Sequence, residues 1–323
     1  MRQVWAAWHR KENMEQIIDG KTAVYGLIGN PVAHSFSPLI HNTLAEGLQK
    51  NLVYTTFPVA EEDRVGEAVK GAYALGIQGM NVTVPYKSEV IPFLAEIDPI
   101  AQAIGAVNTL VRTPEGYKGY NTDYRGLRKS LEETGLVLAG MRVVLIGAGG
   151  AARAVGFMCG EAGVSELLIL NRTLPKAQLF ADELGGLFPS MKVRVGLLTN
   201  AVDELERVKT AECSTASSDQ DVMKTLAIQG TNVGMSPDIA SSPVEDPAFF
   251  DMIDAAYDCV YNPEETKFLK LARKAGKPAQ NGIDMLLWQG ILAFEYWTGI
   301  HPEETLTEEV REKLHAFIRE QNG

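Results

Sequence analysis

The stretch Arg142–Ala154, RVVLIGAGGAARA, constrains this chain more than any other. Val143–Ile146 is a short unbroken apolar run, the pattern of a strand buried on both faces of a sheet. Gly147-Ala148-Gly149-Gly150-Ala151-Ala152 follows at once and fits G-x-G-x-x-A, the glycine turn of a dinucleotide-binding βαβ unit. In that motif Gly147 permits a tight turn, Gly149 lets a pyrophosphate approach the backbone, and Ala152 is small enough for close helix–strand packing. Ala151–Ala162 reads as a helix stopped by Gly163, its first N–H groups aimed at the phosphates. Glu166–Leu170 reads as the second strand.

The end of that second strand bears on the cofactor. An acidic residue about 20 positions after the glycines would hold the ribose hydroxyls of NAD. Here the position is Asn171, followed by Arg172, Thr173 and Lys176. Cations at a helix start oppose its dipole, so an anionic ligand, the 2′-phosphate of NADP, explains them better than a solvated surface does.

Composition sets the class. The chain has 323 residues, enough for two domains, with 46% apolar and 22% charged residues and a net charge of −11. That charge argues against nucleic acid or an anionic membrane as a partner. Cys159, Cys213 and Cys259 are far apart, which suits reduced thiols in the cytoplasm. The five histidines form no metal-ligand pair, so no metal is expected. No run is long and apolar enough to span a membrane, and the first twenty residues lack a signal-peptide core. Met1–Asp19 reads as an appended helix or loose arm.

Ahead of the glycine turn the chain already alternates. Ala23–Ile28, Leu52–Val59, Ile77–Val84 and Ala106–Val111 read as strands, Leu39–Leu48 and Glu62–Leu75 as helices, and Tyr117–Tyr120 pairs back as a hairpin. After it come Asp123–Gly135 (helix), Ala177–Leu184 (helix), Lys192–Leu197 (strand), Thr225–Gln229 (strand), Ile253–Tyr257 (strand) and Glu264–Ala275 (helix). The polar stretch from Thr199, with Ser214–Asp221 within it, holds no clear strand before Thr225. Met285–Trp297 and Leu306–Ile318 read as closing helices. The expected architecture is α/β: two units with a ligand crevice between them.

Three further stretches carry candidate chemistry. In Asn81-Val82-Thr83-Val84-Pro85-Tyr86-Lys87, Pro85 suits the first position of a helix, placing the Lys87 cation in a disfavoured first turn. Asn108-Thr109 and Asn121-Thr122-Asp123 flank turns, and Asp123 either caps the helix after it or reaches Lys87 across the crevice.

His34-Ser35-x-Ser37-Pro38, NVTVPYK, GAVNT, NTD, GAGGAA, NRT, Tyr261-Asn262-Pro263 with Thr266, and Gly282 with Met285–Gln289 occur in this order in shikimate dehydrogenases, which the chain resembles over about residues 22–300. The resemblance implies a substrate-binding catalytic domain at 21–122 and 283–323, an NADP-binding Rossmann domain at 123–282 and an N-terminal extension at 1–20, the last helices returning to the first domain. It implies Lys87 and Asp123 as catalytic pair. Ser35, Ser37, Asn81, Thr83, Asn108, Tyr261 and Gln289 would join them in holding shikimate or 3-dehydroshikimate. Gly147, Ala148, Gly149, Gly150, Ala151, Asn171, Arg172, Thr173, Lys176, Thr231 and Gly282 would hold NADP. A homodimer is a possible assembly. The chain departs from the family pattern at Lys176 (commonly Arg), at Asp284 (often Gly), and in Gln229–Met235.

The residue types suit a carboxylate ringed with hydroxyls, because a site built to bond hydroxyls rejects analogues lacking them. Reversible reduction of 3-dehydroshikimate in aromatic biosynthesis is the leading expectation. A quinate/shikimate dehydrogenase using NAD or NADP and a catalytically silent NADP-binding regulator are the alternatives. Whether Lys87 or Asp123 carries the proton is open at this level.

Overall fold

The computed structural model describes residues 18–213 and 223–322. Met1–Ile17, most of the appended arm, and Ser214–Asp221 lie outside the described residues. The first sheet is built from β1 (Ala23–Gly29), β2 (Leu52–Pro58), β3 (Gly79–Val82), β4 (Glu96–Ile97), β5 (Thr109–Thr113) and β6 (Gly116–Tyr120), in the order β2-β1-β3-β5-β6-β4. β1 runs parallel to β2 and β3, while β5 is antiparallel to both β3 and β6. Helices α1 (Ser37–Gly47), α2 (Val65–Ala74) and α3 (Pro99–Ile104) belong to its connections.

The second sheet holds β7 (Arg142–Ile146), β8 (Glu166–Asn171), β9 (Lys192–Leu197), β10 (Thr225–Gln229), β11 (Ala255–Asp258) and β12 (Ala279–Gln280). Its order is β12-β11-β10-β7-β8-β9 and every pairing is parallel. This is doubly wound dinucleotide-fold topology, whose order reverses between β7 and β10. Helices α4 (Asp123–Glu133), α5 (Gly150–Glu161), α6 (Leu174–Leu187), α7 (Ala201–Cys213), α8 (Pro247–Asp251) and α9 (Lys267–Lys274) accompany it. The run of β7 is apolar throughout because both faces are covered: Val143 and Leu145 enter one core cluster, Val144 and Ile146 another.

Two long helices close the chain, α10 (Ile283–Thr298) and α11 (Glu304–Asn322). Ile283, Leu287, Ile291 and Phe294 of α10, with Val310, Leu314 and Ile318 of α11, pack beside Tyr25, Leu27, Ile40, Leu44 and Tyr54 of the first unit. The Trp297 indole donates to the Leu110 carbonyl of β5 at 2.9 Å. Among the described residues, no helix is long and apolar enough to cross a membrane.

The structure revises several local expectations. No α-helix follows Pro85: residues 84–90 form consecutive turns, so no helix dipole acts on Lys87. α3 is an element beyond those expected from the sequence, although Asp98 accepts from the amides of Ile100 and Ala101 ahead of Pro99, a strong start signature. α7 was hidden in a polar stretch, yet Ala201, Leu205 and Val208 recur at helical spacing and are buried. α9 begins three residues later than Glu264, where the Thr266 hydroxyl accepts from the Leu269 amide.

Candidate active site

Lys87 and Asp123 meet. Lys87 sits in the turns after β3, Asp123 is the first residue of α4, and Lys87 Nζ donates to Asp123 Oδ2 at 2.7 Å. Their side chains are 16% and 7% exposed. Asp123 does not cap its helix; the N-cap is Thr122, without a side-chain cap bond. The other carboxylate oxygen accepts from Asn108 Nδ2 at 2.9 Å, and the Asp123 amide donates to Asn121 Oδ1 at 3.0 Å. The carboxylate is thus held from two sides. Among the described residues Asp123 is the hydrogen-bond partner of Lys87 Nζ, which leaves ammonium donors for a substrate oxygen.

The network continues away from Asp123. Asn108 Nδ2 lies 3.4 Å from Gln289 Oε1 of α10, and the Thr122 amide donates to Asn108 Oδ1 at 2.7 Å. Asn81 Nδ2 donates to the Asn108 carbonyl at 3.1 Å and to Thr109 Oγ1 at 3.3 Å. Asn81 Oδ1 accepts from the Tyr54 hydroxyl at 2.8 Å and from His41 Nε2 at 3.1 Å. Ser35 Oγ donates to Ser37 Oγ at 3.2 Å, and Ser37 eases the rise in pKa that burial imposes on the Tyr54 hydroxyl. One hydrogen-bonded path therefore joins Tyr54, Asn81, Asn108, Asp123 and Lys87, with Gln289 beside it and the Ser35–Ser37 pair next to Tyr54. Both ends of the Asn81 amide are bonded within the protein, the geometry of a strut.

No sequence motif announces His41 and Tyr54. Burial holds His41 neutral, its pKa pushed down to about 3, and its ring stacks on Tyr54 at 4.3 Å. A histidine one turn beyond Ser37 carries no motif of its own. Two further predicted residues stand apart from this path. The Thr83 methyl lies where a side chain on Gly29 would go, and Tyr261 packs on Phe36 with ring centroids 5.4 Å apart.

The glycine turn lies at the carboxyl ends of β7 and β10, the switch point of the second sheet. Gly147 has φ +110°, and a Cβ there would meet Thr231 Cγ2 at 2.8 Å, so both conformation and space demand glycine. A Cβ on Gly149, the N-cap of α5, would meet nothing within 4 Å, leaving the backbone open to a ligand. A Cβ on Gly150 would lie 3.4 Å from Lys87 Cδ, so the turn borders the Lys87 side chain. Asn171, Arg172 and Thr173 lead into α6, where Lys176 occupies the first turn; Arg172 and Lys176 are exposed and have no ion-pair partner among the described residues. Asn171 Nδ2 donates to the Thr173 carbonyl at 2.9 Å. Gly282 is the N-cap of α10, its amide donating to the Val260 carbonyl at 3.1 Å. An open glycine backbone, a helix N-terminus and two free cations fit a phosphorylated dinucleotide.

Three family models match the chain: the shikimate dehydrogenase substrate binding domain over residues 27–110, shikimate/quinate 5-dehydrogenase over 129–240, and the shikimate 5′-dehydrogenase C-terminal domain over 282–314. The shikimate dehydrogenase (NADP(+)) of Moorella thermoacetica is 41% identical over 301 residues, covering 93% of this chain and 96% of the relative. A shikimate dehydrogenase crystallised with NADP+ superposes with TM-score 0.78 at 36% identity, over 92% of this chain and 97% of the other. That of Thermus thermophilus, in complex with NADP(H) and shikimate, gives TM-score 0.73 at 34% identity, over 90% and 99%. With the doubly wound second sheet and the glycine turn bordering Lys87, these matches establish that the chain belongs to the shikimate dehydrogenase family.

Proposed function

We propose that this chain is an NADP-dependent dehydrogenase interconverting 3-dehydroshikimate and shikimate, a step towards the aromatic amino acids. The observation that carries the reading is the Lys87–Asp123 pair at 2.7 Å, set at the end of a buried polar network and beside the glycine turn. NADPH would supply the hydride when bound; Gly147–Ala151 would hold its phosphates, and Arg172 and Lys176 its 2′-phosphate. Asn171, Thr173, Thr231 and Gly282 line the same end of the second sheet. Lys87 donates a proton to the substrate oxygen in reduction and accepts it in oxidation. Asp123 keeps the ammonium in place through its bond to Nζ and is itself kept in place by Asn108. Ser35 and Ser37 take the carboxylate end. Thr83, Asn108, Tyr261 and Gln289 bond or border the ring, with Asn81 bracing Asn108.

The division of labour follows the sheets. Residues 21–122 with 283–323 bind substrate and 123–282 bind cofactor, a reading supported by α10 and α11 packing on Tyr25, Leu27 and Tyr54. The free thiols of Cys159 and Cys259 suit the cytoplasm.

The test is an assay of reduced-nicotinamide absorbance, with shikimate and quinate each tried against NADP and NAD. Turnover with shikimate and NADP is expected, quinate being poor. Its saturated carboxylate-bearing carbon swings the carboxylate away from Ser35 and Ser37 and adds a hydroxyl. Leaving that hydroxyl unpaired costs on the order of 1–3 kcal/mol. Comparable kcat/KM values for the two acids would favour a quinate/shikimate dehydrogenase. No turnover with any pair would favour a silent NADP-binding regulator.

A further inference from the structure

Arg153 breaks a local rule. It is the fourth residue of α5, inside the first turn, where a cation opposes the dipole of its own helix. Its surroundings supply the reason. Arg153 Nε donates to the carbonyl of Ile104, the last residue of α3, and its guanidinium lies over the Phe180 ring at 5.2 Å. A second guanidinium nitrogen pairs with Glu183 of α6. The cation is thus spent on the negative end of a helix that belongs to the other sheet. Gly105 makes room for it: that residue has φ +70°, and a Cβ there would lie 2.7 Å from Arg153 Nη2.

The segment that Arg153 grips leads directly to the candidate catalytic pair. The Val107 amide donates to the Lys87 carbonyl at 2.7 Å, and Ser88 Oγ donates to the Gly105 carbonyl at 3.0 Å. The Ala106 carbonyl accepts from Asn121 Nδ2 at 2.9 Å, and Asn121 Oδ1 accepts from the Asp123 amide. Residues 104–107 therefore touch the backbone of Lys87 on one side and, through Asn121, that of Asp123 on the other. Three residues before Arg153, Gly150 borders the Lys87 side chain.

We infer that Arg153 is a positioning residue that sets the gap between the glycine turn and the Lys87–Asp123 pair. It does so by clamping the start of α5 to the carbonyl end of α3. The inference rests on the proposed dehydrogenase reading for its kinetic consequence. Hydride transfer is steep in distance, and a misplacement of about 1 Å costs on the order of 10²-fold in rate.

The experiment compares wild type with Arg153→Ala, Arg153→Lys and Glu183→Gln, measuring kcat, KM and the isotope effect with NADPH deuterated at its transferring position. For Arg153→Ala, kcat should fall by about 10- to 100-fold with little change in KM for 3-dehydroshikimate and a larger isotope effect. Arg153→Lys should recover part of the rate by reaching the Ile104 carbonyl, and Glu183→Gln should stay near wild type, its exposed pair contributing little. Amide hydrogen exchange of the ligand-free proteins supplies a readout independent of substrate: Val107 should exchange faster in Arg153→Ala. If wild type is inactive on shikimate, the functional reading fails while exchange still tests the clamp. Unchanged Val107 exchange in a folded Arg153→Ala protein, or wild-type kcat and isotope effect, would overturn the inference.

Discussion

Lys87 and Asp123 lie 36 positions apart in the chain and 2.7 Å apart in space. Replacing Lys87 by Ala removes the proposed proton donor and leaves Asp123 with its Asn108 and Asn121 bonds intact. Turnover should then drop by about 10²–10⁴-fold with substrate affinity nearly retained; a near-normal kcat in steady-state assays would sink the assignment. Arg172 tests the cofactor end. It is exposed and free of ion pairs among the described residues, so its loss should leave the fold untouched. Arg172→Ala should weaken NADP binding by roughly 1.5–3 kcal/mol and scarcely alter NAD. Titrations showing equal losses for both cofactors would mean that Arg172 does not read the phosphate.

At the scale of elements, β11 ends on Asp258, which anchors the whole segment carrying Tyr261. Asp258 Oδ1 accepts from the Val260 amide at 2.9 Å and Oδ2 from the Thr266 hydroxyl at 2.6 Å, and that hydroxyl also caps α9. Burial outweighs these bonds and pushes the carboxyl from its usual 3.8 up to about 7. A carboxyl that binds its proton more tightly in the folded than in the unfolded protein stabilises the fold fully below pH 3.8. That contribution is lost as pH rises through about 7. Asp258→Asn keeps one acceptor for the Val260 amide, presents a donor instead of an acceptor to the Thr266 hydroxyl, and removes the titration. Between pH 5 and 8 wild type should lose on the order of 2 kcal/mol more stability than the variant. Urea midpoints at the two pH values measure this, and parallel pH profiles would rule it out.

For the molecule as a whole, the return of the chain to its first sheet is the decisive feature. Trp297 on α10 bonds the Leu110 carbonyl and packs against Tyr25, His41 and Tyr54 at centroid distances of 5.0, 5.0 and 6.0 Å. Trp297→Ala should destabilise the first sheet by about 3 kcal/mol. Hydrogen exchange should locate the loss in β1–β3 and leave β7–β9 protected. Equal loss of protection in both sheets would show that they unfold as one unit, contrary to the proposed division.

The glycine turn, the strand before it, the helix after it and the cations after β8 were legible in the sequence. Each depends on interactions within a few residues: a positive φ at Gly147, an apolar run, a helix start. The turns after Pro85, where a helix is expected, were not, because residues 84–90 are held by bonds such as that from the Val107 amide to the Lys87 carbonyl. Nothing local marks His41 and Tyr54 as supports of Asn81, Gln289 as the neighbour of Asn108 from 181 positions away, or Arg153 as a clamp on Ile104. Residue types and short spacings declare which chemistry a chain can hold. Which side chains share a hydrogen bond is decided by how two sheets and the returning helices pack, since burial, register and crossing of distant elements set those distances.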